Sequence, residues 1–112
     1  MLVQMVDRDK IRQLNDSFRR TFIGGDVVLT RGIRMKSEKE VAEILERVRT
    51  FKDFTPANNP YSENDSASFD YKGERIIWKI DYYDKNYRYM SENPADPTIT
   101  NRLLTIMTAS EY

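Results

Sequence analysis

The segment from Glu74 to Tyr83 constrains this chain more than any other. Its side chains alternate without a break, with Ile76, Trp78, Ile80 and Tyr82 on one face and Ile77, Lys79, Asp81 and Tyr83 on the other. Such alternation marks a strand with one face turned to a core. Ala67 to Lys72 precedes it across a turn at Gly73, so the two runs read as a β-hairpin. A hairpin cannot hide its own apolar face, and the remaining segments must supply the elements that cover it.

Two helices are legible upstream. From about Val6 to Ile23 the residues Ile11, Leu14, Phe18 and Phe22 recur at helical spacing. The opposite face carries Asp16, placed to pair with Arg12, Arg19 and Arg20, and Gly24-Gly25 reads as the helix stop. The second helix starts at Ser37-Glu38-Lys39-Glu40, whose spacing is that of a capping box. Its apolar stripe is Val41, Ile44, Leu45 and Val48, with Phe51 completing it and Glu43 set to pair with Arg47. Between the helices, Val27 to Ile33 is β-branched and short, a strand with a bulge or an end at Gly32.

Two further regions complete the chain. Asp53 to Ser66 contains Pro56, Pro60 and Asn58-Asn59 and reads as a long loop, a place where function concentrates. After a polar turn from Asp84 to Pro94, Asp96-Pro97 resembles an N-cap with proline at the first helical position. Ile99, Leu103, Ile106 and Met107 then repeat at helical spacing, which predicts a final helix, although the threonines keep a strand open for Leu103 to Thr108. The order α-β-α-β-β-α makes a single α+β domain over residues 1–112, a small, mostly antiparallel sheet with helices packed on one face.

Composition narrows the chemistry. The chain has neither cysteine nor histidine, which removes disulfides, imidazole acid–base chemistry, Cys-His and Ser-His-Asp triads and the ordinary zinc sites. Eighteen basic and 18 acidic side chains give a net charge of zero, against binding of nucleic acid or a membrane surface by bulk electrostatics. The charges are unevenly placed. Residues 1–52 hold 12 basic and eight acidic side chains, and residues 53–112 hold six and ten, so the halves carry +4 and −4. No apolar run approaches the roughly 20 residues of a membrane span, and Met1-Leu2-Val3 is too short for a signal peptide, so a cytoplasmic protein is expected.

Three stretches carry a resemblance. They are Phe51-x-x-Phe54-Thr55-Pro56-x-Asn58-x-Pro60-Tyr61-x-Glu63-x-Asp65, then Trp78-Lys79-Ile80-Asp81-Tyr82-Tyr83-Asp84, then Ala95-Asp96-Pro97-x-x-Thr100-x-Arg102-x-Leu104-Thr105-Ile106-Met107-x-Ala109-Ser110-Glu111-Tyr112. From about Ile11 onward the chain resembles a domain-of-unknown-function family of small bacterial proteins, mostly alphaproteobacterial and often plasmid-borne. That family usually has a histidine after the loop glutamate, where this chain has Asn64, so the resemblance carries no imidazole role here. As a class, small proteins of mobile elements without a catalytic set resemble inhibitors that block host defence complexes, CRISPR effectors among them, by surface binding.

Two readings of function follow. All seven tyrosines and the only tryptophan lie in the second half, and tyrosine is favoured at the centres of protein interfaces. The long loop and the turn after the hairpin are expected to meet at one end of the sheet. Tyr61, Glu63 and Asp65 would then join Asp84, Tyr87 and Tyr89 in one acidic, tyrosine-rich protein-binding surface. Tyr82 is expected beside Trp78 in the core with its hydroxyl at the surface, and Tyr112 on or near the core stripe of the last helix. A non-enzymatic protein-binding module is therefore the leading expectation, with a protein partner, no nucleic acid, no membrane and no cofactor or metal. Self-association into a homodimer through the opposed half-charges ranks second. The alternative is a metal-dependent phosphodiesterase built on Glu63, Asp65, Asp70, Asp81 and Asp84, with Asp70-Tyr71-Lys72 supplying an acid-x-Lys spacing.

Overall fold

The hairpin forms as its alternation requires. The computed structural model describes residues 7–112, in which β2 (Ser66–Tyr71) and β3 (Glu74–Tyr83) pair antiparallel with Ala67 opposite Trp78. Lys72 and Gly73 both take positive φ, 50° and 83°, in a two-residue turn whose twist matches that of the strands. Ile76, Trp78, Ile80 and Tyr82 are buried with Ala67, Phe69 and Tyr71 from the neighbouring strand.

The last segment is a strand, β4 (Asn101–Thr108), and not the helix its spacing predicts. It lies antiparallel to β3 along eight residues and parallel to β1 (Asp26–Leu29), giving the order β1-β4-β3-β2. The spacing of Leu103, Ile106 and Met107 fits a helix face, but Arg102, Leu104 and Ile106 are the buried alternating set. Two flanking strands satisfy β4's backbone on both edges, and the threonines and isoleucine suit the pleat. Asp96 caps no helix: its carboxylate accepts from the amide and hydroxyl of Thr98, closing a local turn.

Two helices lie on the buried face of this sheet, so the fold is α+β with a mostly antiparallel sheet. Helix α1 (Arg8–Thr21) ends on Phe22, which itself takes the left-handed conformation expected of Gly24-Gly25. Gly25 serves packing instead, because a Cβ there would lie 2.5 Å from the Arg102 carbonyl oxygen and 2.8 Å from the Phe18 ring. The expected first strand stops at Leu29, and a single helical turn, α2 (Arg31–Arg34), buries Ile33. Helix α3 (Glu38–Arg49) opens on the Ser37–Glu40 capping box, both arms of which are formed. Glu43 takes the Tyr71 hydroxyl and Arg47 stacks on Phe69, in place of the pairing expected between them.

Arg19, expected on the solvated face of α1, is buried between the two long helices. Its guanidinium donates to the carbonyls of Val48, Arg49 and Phe51 at 2.9 to 3.1 Å and meets Asp16 at 3.1 Å. It lies 5.2 Å from the Trp78 ring centre and 5.5 Å from that of Phe54. Phe51, Phe54 and Trp78 pack edge to face with centroids 5.0 to 6.1 Å apart, fastening the start of the long loop.

A 3₁₀ turn (Ala109–Glu111) follows β4, and its Glu111 carboxylate accepts from the amides of Thr108 and Gly32 and from the hydroxyls of Thr30 and Thr108. Gly32 admits that carboxylate, since a Cβ there would lie 2.6 Å from Glu111 Oε1. Tyr112 is four-fifths exposed and not part of a core stripe, because no helix carries it.

Two predictions follow from this packing. Trp78→Ala empties the centre of the sheet and should cost about 3 to 5 kcal/mol in a urea melt, whereas a loss below about 1 kcal/mol would mean the indole carries little of the core. The second concerns acid. Four hydrogen bonds hold the Glu111 carboxyl at about 2 against an ordinary 4.5. A carboxylate with a depressed folded pKa favours the fold fully above about pH 5, and its contribution fades as pH falls towards about 2. The urea midpoint of the wild type should therefore fall across that range, and that of Glu111→Gln should start lower and fall less.

Candidate functional site

Strand alternation sorts the tyrosines before any loop geometry is considered. Tyr82 points to the helices and Tyr83 to the opposite face.

On the helix side a polar network sits beneath α1. Asn15, fully buried, donates from Nδ2 to the Tyr82 hydroxyl oxygen at 2.7 Å and to the Glu63 carbonyl at 3.0 Å. Tyr82 donates to Glu63 Oε1 at 2.8 Å, and Arg102 Nε donates to Asn15 Oδ1 at 2.8 Å. The Tyr82 hydroxyl is thus an interior group and not the surface tip expected of it. Burial raises its pKa far above the ordinary value, so it stays a donor. Asp65 gives its carbonyl to the Ile80 amide, and burial raises its carboxyl, aided by the charges of Glu63 and Asp81.

Tyr61 lies outside this network, well exposed, with the Arg8 guanidinium 5.1 Å from its ring centre. Asn64, at φ 53°, donates to both Asp16 oxygens and exchanges hydrogen bonds with Asn59. The long loop is therefore tied through Asp16 to Arg19.

The turn after the hairpin is the second group. The Asp84 carboxylate accepts from the amides of Asn86 and Arg88, its own amide donates to the Tyr89 carbonyl, and Tyr83 bridges Met90. Tyr87 takes φ 56°, which is uncommon for a bulky residue and costs energy. Its ring lies against Tyr83, with centroids 5.7 Å apart, and its hydroxyl donates to Asp26 at the start of β1, which pushes the phenol up to about 12. Held this way, the turn presents Tyr89 and Met90, 74 and 66% exposed, to solvent.

Asp84, Tyr87 and Tyr89 therefore form one element, while Tyr61 and Glu63 lie against α1. Among the described residues no hydrogen bond, ion pair or ring contact joins Tyr61, Glu63 or Asp65 to Asp84, Tyr87 or Tyr89. The two groups expected in one surface meet adjacent residues of β3, the first at Tyr82 and the second at Tyr83. Sequence reasoning missed Asn15 and Arg102, for which spacing offers no signal. Of the other carboxylates, Asp70 pairs with Arg75 at 3.3 Å, Asp81 pairs with Lys79 at 2.7 Å, and Lys72 meets Glu40 at 3.7 Å. Among the described residues no three acidic side chains are grouped to hold a metal, and no helix is long and apolar enough to cross a membrane.

The network carries its own test. Tyr82→Phe keeps the ring and removes one hydroxyl, leaving an Asn15 donor and the Glu63 carboxylate short of a partner. It should cost about 1 to 3 kcal/mol in chemical denaturation, and an unchanged midpoint would show that the network is not a source of stability.

No curated protein and no solved structure matches the chain. Residues 29–111 match a family described as a protein of unknown function, DUF3768. That span takes in the hairpin, β4 and most of the long C-terminal motif while leaving α1 outside, so the resemblance expected from Ile11 onward is found from Leu29, and the chain belongs to the DUF3768 family.

Proposed function

We propose that this protein is a non-enzymatic binding module that recognises another protein through the turn Asp84–Met90. The observation that carries this reading is the fastening of that turn. An exposed tyrosine and methionine stand on a backbone held by the Asp84 carboxylate, the Tyr83–Tyr87 ring contact and the Tyr87–Asp26 hydrogen bond. A surface fixed before binding loses less side-chain and loop freedom on association. Tyrosine with a neighbouring arginine, here Tyr89 and Arg88, is also the composition favoured at interface centres. Strain at Tyr87 is what a turn built to display its neighbours would retain.

The most concrete form of this function is inhibition of a host defence complex by occlusion of its surface, as the resemblance to small mobile-element proteins suggests. Tyr61, Glu63 and Asp65, which among the described residues no hydrogen bond, ion pair or ring contact joins to this turn, extend the candidate surface for a partner large enough to reach both.

The experiment is affinity capture from a native host with the wild type and with Tyr89→Ala, Met90→Ala as paired baits. A genuine partner is retained by the first and lost by the second. Purified, it should bind Tyr89→Ala more weakly by about 2 kcal/mol with the urea midpoint unchanged. Equal capture by both baits would remove this turn as the site.

A further inference from the structure

Two arginines are buried, Arg19 and Arg102, at 1 and 3% exposure, and only one has an acid. Arg19 meets Asp16, but Arg102 forms no ion pair among the described residues, and residues 1–6 contain no acid. Its Nε donates to Asn15, one Nη donates to the Pro94 carbonyl, and the group lies 5.2 Å from the Tyr82 ring centre. The charge of Glu63 acts on it, yet that carboxylate takes the Tyr82 hydroxyl and not the guanidinium. Buried charges in proteins are almost always paired, because desolvation without a counter-charge is costly.

Arg102 also lines a cavity of about 540 Å³ between α1 and the start of β4, a volume suited to a small ligand. Lys85 lines it as a second cation, and among the described residues its ammonium makes one hydrogen bond, a 3.3 Å contact with Asn101. Ser17 and the bare backbone of Gly24 and Gly25 form part of the wall, and the space beside Gly24 is open, with nothing within 4 Å of where a Cβ would stand. Asp26 is the one acid at this cavity, and it already accepts the Tyr87 hydroxyl. Two cations thus line the cavity with one hydrogen-bonded carboxylate, and Asp96, next to the lining residue Pro97, is near enough to feel the charge of Lys85.

We propose that this cavity binds a small anionic ligand bearing a phosphate or carboxylate group, with Arg102 as its buried counter-charge and Lys85 as its outer one. Guanidinium supplies paired donors to either oxyanion, and Lys85 adds a mobile charge at the mouth. Lys85 and Tyr87 of the Asp84–Met90 turn line this site, whereas the exposed Tyr89 and Met90 do not, so loss of anion binding in Lys85→Met and loss of partner capture in Tyr89→Ala are separate outcomes.

The test is amide chemical-shift mapping on ¹⁵N-labelled protein titrated with inorganic phosphate and, separately, with succinate, against sodium chloride of equal ionic strength. Saturable shifts at Gly24, Gly25 and Lys85 with phosphate or succinate but not chloride are expected, and the tighter of the two identifies the oxyanion. Lys85→Met, at an exposed position, should weaken that binding about tenfold. Arg102→Met should abolish it, and should that variant fail to fold, Lys85→Met and the wild-type map still decide. No saturable shift with either anion, shifts confined to another region, or equal affinity in Lys85→Met would overturn the proposal.

Discussion

The guanidinium of Arg19 is the joint on which the layers depend. It comes from α1, receives the last carbonyls of α3 and the carbonyl of Phe51, and rests on Trp78 at the centre of the sheet. The end of a helix leaves carbonyls without intrahelical donors, and a buried helix end needs partners from elsewhere. Here one side chain supplies three donations while its charge is met by Asp16 and by aromatic faces. Asp16 is oriented in turn by Asn64, so the long loop, both helices and the central strand share one set of bonds. The loop can therefore lack regular structure and still hold its shape.

That arrangement explains how far the sequence could be read. The hairpin and the capping box were legible because each is written in consecutive residues, alternation in one and a four-residue reciprocal bond in the other. β4 was misread because Leu103, Ile106 and Met107 satisfy a helical period while Arg102, Leu104 and Ile106 satisfy a period of two. Neighbours 20 and more residues away decide between them. Arg19 and Arg102 could not be distinguished from surface arginines, since a charge is recognised as buried only by what covers it.

The candidate site was legible in composition and not in geometry. The partner of the Tyr87 hydroxyl, Asp26, lies 61 residues away, and no local pattern connects them. Glu63 meets Tyr82 and Tyr87 meets Tyr83, adjacent residues of β3 whose side chains leave the strand on different faces, so two loops that are close along the chain find different anchors.

The placement of β4 bears on how the domain acquires its structure. It is the last strand to appear along the chain, yet it lies inside the sheet, pairing Leu103 with Asp26 across most of the sequence. The hairpin can assemble from neighbouring residues, whereas β1 has no strand partner until β4 arrives. Pairings of such long separation require loop closure before they return any stabilisation, and they slow folding accordingly. In a nascent chain the hairpin is complete only at Tyr83, and its inner edge then stays unsatisfied until Asn101–Thr108 follows, so assembly of the sheet waits on β4.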